Sequence, residues 1–372
     1  MLKYVSDNIR NLVPYQPGKP IEELERELGI KGAIKLASNE NPLGASRKAI
    51  EAIRGYIGKI HRYPDGGGFY LRRALAKKWE VSEDAIVLGN GSNEIIELLV
   101  RTFVSPDDNA VVSENTFSVY RLIMTAANGD VITVPMKDDR YDLKKMAGQV
   151  DSRTRLVFIA NPNNPTGTIV TTEEVEDFMK NIPEDVLVAF DEAYAEYVTA
   201  SSFPETLNYL RSGRNVAILR TFSKIYGLAG LRIGYGLTTV GIAEMLNRVR
   251  QPFNTNAIAQ VGALAALNDV YHVEESRRIN NEGKEFIYKE FDLMGISYLP
   301  TEANFIYFQA GANGGAIFNA MLKEGIIIRH IAGSNLRVTI GLPEENRRFV
   351  EAMRKVLGKL NQISKVKNQN DK

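Results

Sequence analysis

One lysine stands between two hydroxyl residues in the stretch Thr221-Phe-Ser-Lys-Ile-Tyr-Gly-Leu-Ala-Gly-Leu-Arg-Ile-Gly234. Lys224 sits in a glycine-rich, apolar turn, where poor solvation favours the neutral amine. A neutral amine can attack a carbonyl and form a Schiff base. Thr221, Ser223 and Arg232 surround it with the hydroxyls and the guanidinium that a phosphate needs. Lysine is exposed by default, so the other polar stretches decide what this one does.

Four such stretches follow apolar runs. Gly89-Asn-Gly-Ser-Asn-Glu94 is a glycine turn opening a helix, and free amides at Gly91, Ser92 and Asn93 suit a phosphate. Glu114-Asn-Thr-Phe117 places Phe117 where it can stack on a flat ring. Asn161-Pro-Asn-Asn-Pro-Thr-Gly167 is stiffened by two prolines and presents the amide of Asn164. Asp191-Glu-Ala-Tyr194 ends an apolar run in a carboxylate, which is costly to bury without a cation. Tyr194 lies three residues on, able to face the same crevice. One ligand meets all of these demands, pyridoxal 5′-phosphate. Its ring nitrogen would pair with Asp191, which keeps that nitrogen protonated. Its phenolic oxygen would face Asn164 and Tyr194, its ring Phe117, and its aldehyde carbon Lys224.

The elements that must position these residues alternate. β-branched runs at 85–88, 109–113, 131–134, 155–160, 186–190, 216–219 and 232–237 are separated by helical patterns at 94–103, 118–127, 172–179 and 206–211. The expected fold class is α/β, a mostly parallel sheet covered by helices on both faces. Functional residues of such sheets gather beyond the carboxyl ends of the strands, where all five polar stretches fall. Residues 1–30 form an arm rich in proline, expected to pack on the smaller domain and on a partner. Residues 31–255 form the large domain and 256–362 a smaller α+β domain, leaving 363–372 as a polar, disordered tail. In the smaller domain 326–329 and 336–340 are expected to pair as strands, carrying Arg329 and Arg337. A buried guanidinium needs an anion, and its fork matches a carboxylate.

Composition narrows the chemistry. Hydrophobic residues at 44% and charged ones at 24% describe a globular protein. A net charge of +1 gives no nucleic-acid footprint. The absence of cysteine excludes disulfides, thiolate metal sites and a cysteine nucleophile. His61, His272 and His330 are too scattered for a metal site. The first residues lack the apolar core of a signal peptide, and no apolar run is long enough to span a membrane, so the expected compartment is the cytoplasm.

The chain resembles the fold type I pyridoxal phosphate enzymes of the aspartate aminotransferase superfamily. Asn-Asn-Pro-Thr-Gly at 163–167, Asp-Glu-Ala-Tyr at 191–194 and Ser-Lys-x-x-Gly-Leu-Ala-Gly-Leu-Arg at 223–232 stand in that family's order. The arm at 11–18, Leu-Ala-Ser-Asn-Glu-Asn-Pro-Leu-Gly at 36–44, Arg-Tyr-Pro-Asp at 62–65 and Gln-Pro-Phe-Asn-Thr-Asn at 251–256 are similar to histidinol-phosphate aminotransferases. The resemblance implies transamination between L-histidinol phosphate and 2-oxoglutarate, with Lys224 holding the cofactor and then moving the proton. It implies that Tyr15 and Asn41 lie near the substrate. It also implies that Arg337 holds an α-carboxylate and Arg329 a distal phosphate. Tyr63 would reach the cofactor phosphate of a neighbouring subunit, so that each site of a homodimer draws on two chains. The stretch His330-Ile-Ala-Gly-Ser-Asn335, which borders the substrate side chain, is shorter than in typical members. An aromatic or broad-range aminotransferase, or a phospho-amino-acid decarboxylase, would use the same cofactor frame.

Overall fold

The computed structural model describes residues 1–311 and 313–370, the last ten of these by their backbone only. A two-residue strand, β1 (Ile34–Lys35), precedes the strands of the main sheet. These are β2 (Ile86–Gly89), β3 (Asn109–Ser113), β4 (Asp130–Val134), β5 (Thr154–Ala160), β6 (Leu187–Asp191), β7 (Val216–Thr221) and β8 (Gly234–Thr238). Their order is β2-β8-β7-β6-β5-β3-β4, and β8 alone runs against its neighbours. The central strands are buried on both faces, which is why they read as continuous runs of Val, Ile, Leu and Phe rather than as alternation.

Helices cover the sheet, and several begin at a side-chain cap. Ser46 Oγ accepts from Ala49 N at the start of the helix Arg47–Tyr56. Thr171 and Glu174 form a reciprocal capping box on the helix Thr172–Asn181. Because β3, β5, β6 and β7 are parallel, their carboxyl ends share one edge. That edge is where Phe117, Asn164, Asp191 and Lys224 leave the sheet.

The second part of the chain builds its own core. β9 (Ser297–Tyr298), β10 (Phe305–Gln309), β12 (Arg329–Ala332) and β13 (Asn335–Thr339) form an antiparallel sheet in the order β12-β13-β10-β9. Phe291, Phe308, Phe349 and Val338 fill the space behind it, beneath the helices Val270–Met294 and Pro343–Asn370. The expected pairing of 326–329 with 336–340 is corrected in one respect. β11 (Ile326–Ile327) pairs in parallel with β1, and only from Arg329 onward does the chain pair with β13. Leu24, Ala33, Ala37 and Ile327 form a small cluster that ties the N-terminal segment to this part. The tail expected at 363–372 falls on residues whose side chains, or whole placement, lie outside the described residues. No helix among the described residues is long and apolar enough to cross a membrane.

Glycine is required at one turn that decides the site. Gly227 has φ +68°, and a Cβ there would stand 1.9 Å from the carbonyl oxygen of Gly44. Its N–H donates to Lys224 O at 3.0 Å, closing the turn that aims the lysine. Gly227→Ala combines a left-handed backbone with a collision against main chain. It is expected to cost at least about 2 kcal/mol. Thermal unfolding should show a lowered Tm, and an unchanged Tm would contradict this reading of the turn.

Candidate active site

The lysine segment is held from below. After β7, Phe222, Ile225 and Tyr226 are buried in the main core, while Ser223 and Lys224 line a cavity of about 380 Å³. Buried residues on both sides of Lys224 thus anchor the turn and leave the amine facing the cavity. Lys224 Nζ donates to Ser38 O at 3.1 Å. Burial pushes its pKa down to about 7, with the Arg337 and Arg232 charges adding to the effect and Glu40 and Asp191 opposing it. The amine is therefore close to half neutral at pH 7.

Asp191 ends β6 on the cavity floor, 5% exposed. Its Oδ2 accepts from the Tyr120 hydroxyl at 2.7 Å and its Oδ1 from Ala193 N at 3.2 Å. No lysine or arginine nitrogen among the described residues lies within 4.0 Å of it. Burial raises its pKa, and the two hydrogen bonds and the Lys224 charge work against that rise. A buried carboxylate in this state calls for a cationic N–H. Tyr194 stands beside it, its hydroxyl accepting from Asn39 Nδ2 at 2.9 Å and its pKa pushed up to about 12 by burial. It therefore keeps its proton and can donate it into the cavity.

At another corner, the helix Ser92–Phe103 begins after Gly91, which has φ +77°. A Cβ on Gly91 would lie 2.5 Å from Arg232 Nη2, and one on Gly234 2.6 Å from Ser92 N. Two glycines thus let a helix N-terminus, a guanidinium and a strand end close on one small cup. Arg232 Nη1 donates to Ser223 Oγ at 3.3 Å and to Ala229 O at 3.0 Å. Ser92, Asn93, Thr221 and Ser223 line the same corner of the cavity. Free amides, hydroxyls and one positive charge make an anion site of phosphate type.

At the opposite end, Arg329 and Arg337 face each other across β12 and β13. Like charges directly opposite repel, and an anion between or beside the pair would relieve that repulsion. Arg337 is 7% exposed. It donates to Asn164 Oδ1 and to Ala37 O, while its Nε finds no acceptor. Arg329 lies over the Tyr15 ring, 5.8 Å from its centroid. The cavity thus has an anion cup at each end, with an amine and an uncompensated carboxylate between them.

The aminotransferase class I and II family model matches residues 31–353. The chain belongs to the class I and II aminotransferases. A histidinol-phosphate aminotransferase of Moorella thermoacetica is 50% identical over 94% of this chain and 92% of its own length. A histidinol-phosphate aminotransferase 2 of Pseudomonas fluorescens is 48% identical over 96% and 98%. Among solved structures, that of the histidinol-phosphate aminotransferase from Sinorhizobium meliloti, in complex with pyridoxal-5'-phosphate, superposes with a TM-score of 0.88. It is 30% identical and covers 96% of this chain and 98% of that one. The central sheet, mostly parallel and covered by helices, is the fold type I arrangement.

This aminotransferase brings Ser92, Asn93, Phe117, Asn164, Asp191, Tyr194, Thr221, Ser223, Lys224, Arg232, Tyr15, Arg329 and Arg337 to one cavity. Gly91 stands just behind the wall, against Arg232. Two expected residues lie elsewhere. Asn41, expected near the substrate, is not among the residues that line the cavity. Its Nδ2 donates to Ile225 O at 2.7 Å and to Ser276 Oγ at 2.8 Å, so the amide braces the lysine turn from behind. Tyr63 is 80% exposed and stacks on Phe253, outside its own chain's cavity.

Two residues of the site were not singled out by the sequence. Tyr120 holds Asp191, and Asn39 holds Tyr194. Tyr120 lies three residues after Phe117, one helical turn along, and that spacing was the available signal. Asn39 has φ 55° and shares a polar cluster with Asn41. Nothing in the cluster tells which asparagine faces the cavity.

Proposed function

We propose that this aminotransferase binds pyridoxal 5′-phosphate and moves an amino group between L-histidinol phosphate and 2-oxoglutarate, a step of histidine biosynthesis. The residues present fit the cofactor. Asp191 lacks a cation, the Gly91–Arg232 cup lacks an anion, and Lys224 offers a half-neutral amine between them. Asp191 would hold the ring nitrogen. Ser92, Asn93, Thr221, Ser223 and Arg232 would hold the phosphate. Phe117 would pack on the ring, and Asn164 and Tyr194 would face its phenolic oxygen. When bound, the cofactor supplies an aldehyde and a ring that withdraws electrons from bonds at the amino carbon. Lys224 Nζ then holds or releases a proton beside that carbon, as a group of pKa near operating pH should.

The observation that carries the substrate is Arg337, buried, without a carboxylate, and facing Arg329 across the hairpin. Glutamate brings an α-carboxylate to this corner. Histidinol phosphate has no carboxylate, and its phosphate, bearing more charge, would be shared by both guanidiniums. Arg337→Gln is expected to lower kcat/KM about 100-fold for both substrates, through loss of a buried charge pair with the ligand. The fall should appear mainly in KM. A variant with unchanged KM values would overturn the assignment.

Tyr63 supports a homodimer with shared sites. It is exposed together with Ile57, Ile60, Phe69, Tyr70 and Phe253, an apolar surface that a second copy would cover. Sedimentation of an active monomer would dismiss it. The large domain at 31–255 would carry the cofactor and the smaller one at 256–362 the substrate arginines.

The deciding experiment follows the visible absorbance of the purified protein loaded with pyridoxal phosphate. Addition of L-histidinol phosphate should bleach the band and 2-oxoglutarate should restore it. Bleaching by tyrosine but not by histidinol phosphate would point to an aromatic aminotransferase. Release of carbon dioxide would point to a decarboxylase.

A further inference from the structure

A second cavity, of about 780 Å³, shares no lining residue with the active site. It lies between the helix Val270–Met294 and the segments around Gly167 and Thr301. One stripe of that helix faces it: Asn281, Lys284, Glu285 and Tyr288, at i, i+3, i+4 and i+7. An inward-facing polar stripe on an amphipathic helix asks for a reason.

Its hydrogen-bonding groups are only partly used. Lys284 is 8% exposed. Its Nζ donates to Thr301 O at 3.1 Å, and no carboxylate oxygen among the described residues lies within 4.0 Å. Asn281 Oδ1 is buried and has no partner among the described residues. The Tyr288 hydroxyl accepts from Thr301 N at 2.8 Å, and burial, which pushes its pKa up to about 12, keeps its own proton on it to be donated. A buried ammonium with one carbonyl acceptor and no carboxylate, and a phenol with a proton to give, thus lie one turn away from a carbonyl oxygen that lacks a donor among the described residues.

The charges around the cavity limit what can answer them. Asp138, Glu285 and Glu302 also line it, whereas Arg140 is engaged by Glu174 at 2.7 Å. A simple anion would meet the three carboxylates, and a simple cation would meet Lys284. A ligand carrying both charges on neighbouring atoms meets neither objection. Ile169, Leu299 and Pro300 add an apolar wall for a side chain.

We propose that this cavity binds a free α-amino acid with an apolar side chain. Its carboxylate accepts from Lys284 Nζ and the Tyr288 hydroxyl, and its ammonium donates to Asn281 Oδ1. Gly167 O already accepts from Glu302 N at 2.9 Å, so the bound amino acid rests against the loop that carries Asn164.

Isothermal titration calorimetry of the cofactor-loaded enzyme tests this with α-methyl-L-leucine, which has no α-hydrogen and is not turned over. Binding is expected in the wild type and equally in Arg337→Gln, which damages the active site. It should weaken at least tenfold in Lys284→Met and in Lys284→Gln. The glutamine keeps an N–H for Thr301 O and removes only the charge, so a loss of binding with an unchanged Tm is not a folding effect. Acetate and methylammonium, each one half of the ligand, should bind at least tenfold more weakly. The absence of any heat at millimolar concentration would mean that the cavity holds water only and would overturn the proposal. So would binding that vanishes in Arg337→Gln and survives Lys284→Gln, or acetate binding as tightly as the amino acid.

Discussion

Lys224→Ala is expected to lower kcat for transamination by on the order of 10⁴-fold or more. Two roles are lost with one amine, nucleophile toward an aldehyde and carrier of the proton at the amino carbon. The other titratable groups of the cavity are otherwise engaged, and Glu40 pairs with Lys35 at 3.0 Å. Asp191 faces Tyr120 and Ala193 N, and Tyr194 keeps its proton to about pH 12. The fold should survive, because the segment is anchored by Phe222, Ile225 and Tyr226 rather than by the lysine. Stopped-flow measurement of the single half-reaction separates this from a binding defect. A variant that retained a tenth of wild-type kcat would remove Lys224 from the chemistry.

The same residue makes a prediction about pH. Its pKa near 7, against an ordinary lysine value of 10.5, comes mainly from burial. Only the neutral amine reacts with an acylating reagent. In cofactor-free protein the labelling rate of Lys224 should rise about tenfold per pH unit up to about pH 7 and then level off, as follows from a single titration. Exposed lysines should keep accelerating toward pH 10. Stability carries the matching sign. Between about pH 7 and 10.5 the unfolded chain binds a proton at this position that the folded chain does not. The folded state therefore gains stability as pH rises through that window, and Lys224→Ala should remove this contribution. A Lys224 labelling profile that climbs to pH 10 would show an ordinary, solvated lysine.

Much of this site was legible before any coordinates. The parallel strands are buried on both faces, so they appear in sequence as apolar runs ending in polar residues. Asp191 after Leu-Val-Ala-Phe and Lys224 after Thr221-Phe-Ser mark the functional edge for that reason. What is not legible has a common physical origin in direction and in distance along the chain. Asn41 and Asn39 are two residues apart in one turn, and the positive φ of Asn39 decides which amide faces Tyr194. Tyr120 reads as a core aromatic, and its ring does stack on Phe158, 4.7 Å between centroids. Only its hydroxyl reaches Asp191. Ile326–Ile327 takes its partner from Ile34–Lys35, almost the whole chain away, and no local pattern announces such a pairing. The helix Val240–Val249 is capped by Thr239, whose side chain accepts from Ile242 N.

Asp191→Asn is expected to separate stability from activity. The carboxylate is buried with no cation among the described residues within 4.0 Å, and burial raises its pKa. Keeping it ionised therefore costs the cofactor-free protein stability. Asparagine preserves the shape and an acceptor oxygen, so the Tyr120 hydroxyl or Ala193 N still has a partner. The cofactor-free variant should unfold at a higher Tm than the wild type. The cofactor-loaded variant should be far worse, with kcat lowered about 10³-fold, because a neutral amide cannot hold a protonated ring nitrogen where charge develops. Cofactor affinity should fall with it, since the one ionic partner on the cavity floor is gone. Opposite signs in the two measurements are the test. If Tm and kcat both fell, Asp191 would be a structural acid whose ionisation the empty fold already supports. If kcat held while Tm rose, the ring nitrogen would need no carboxylate, and the strand end at Asp191 would have to be read as packing alone.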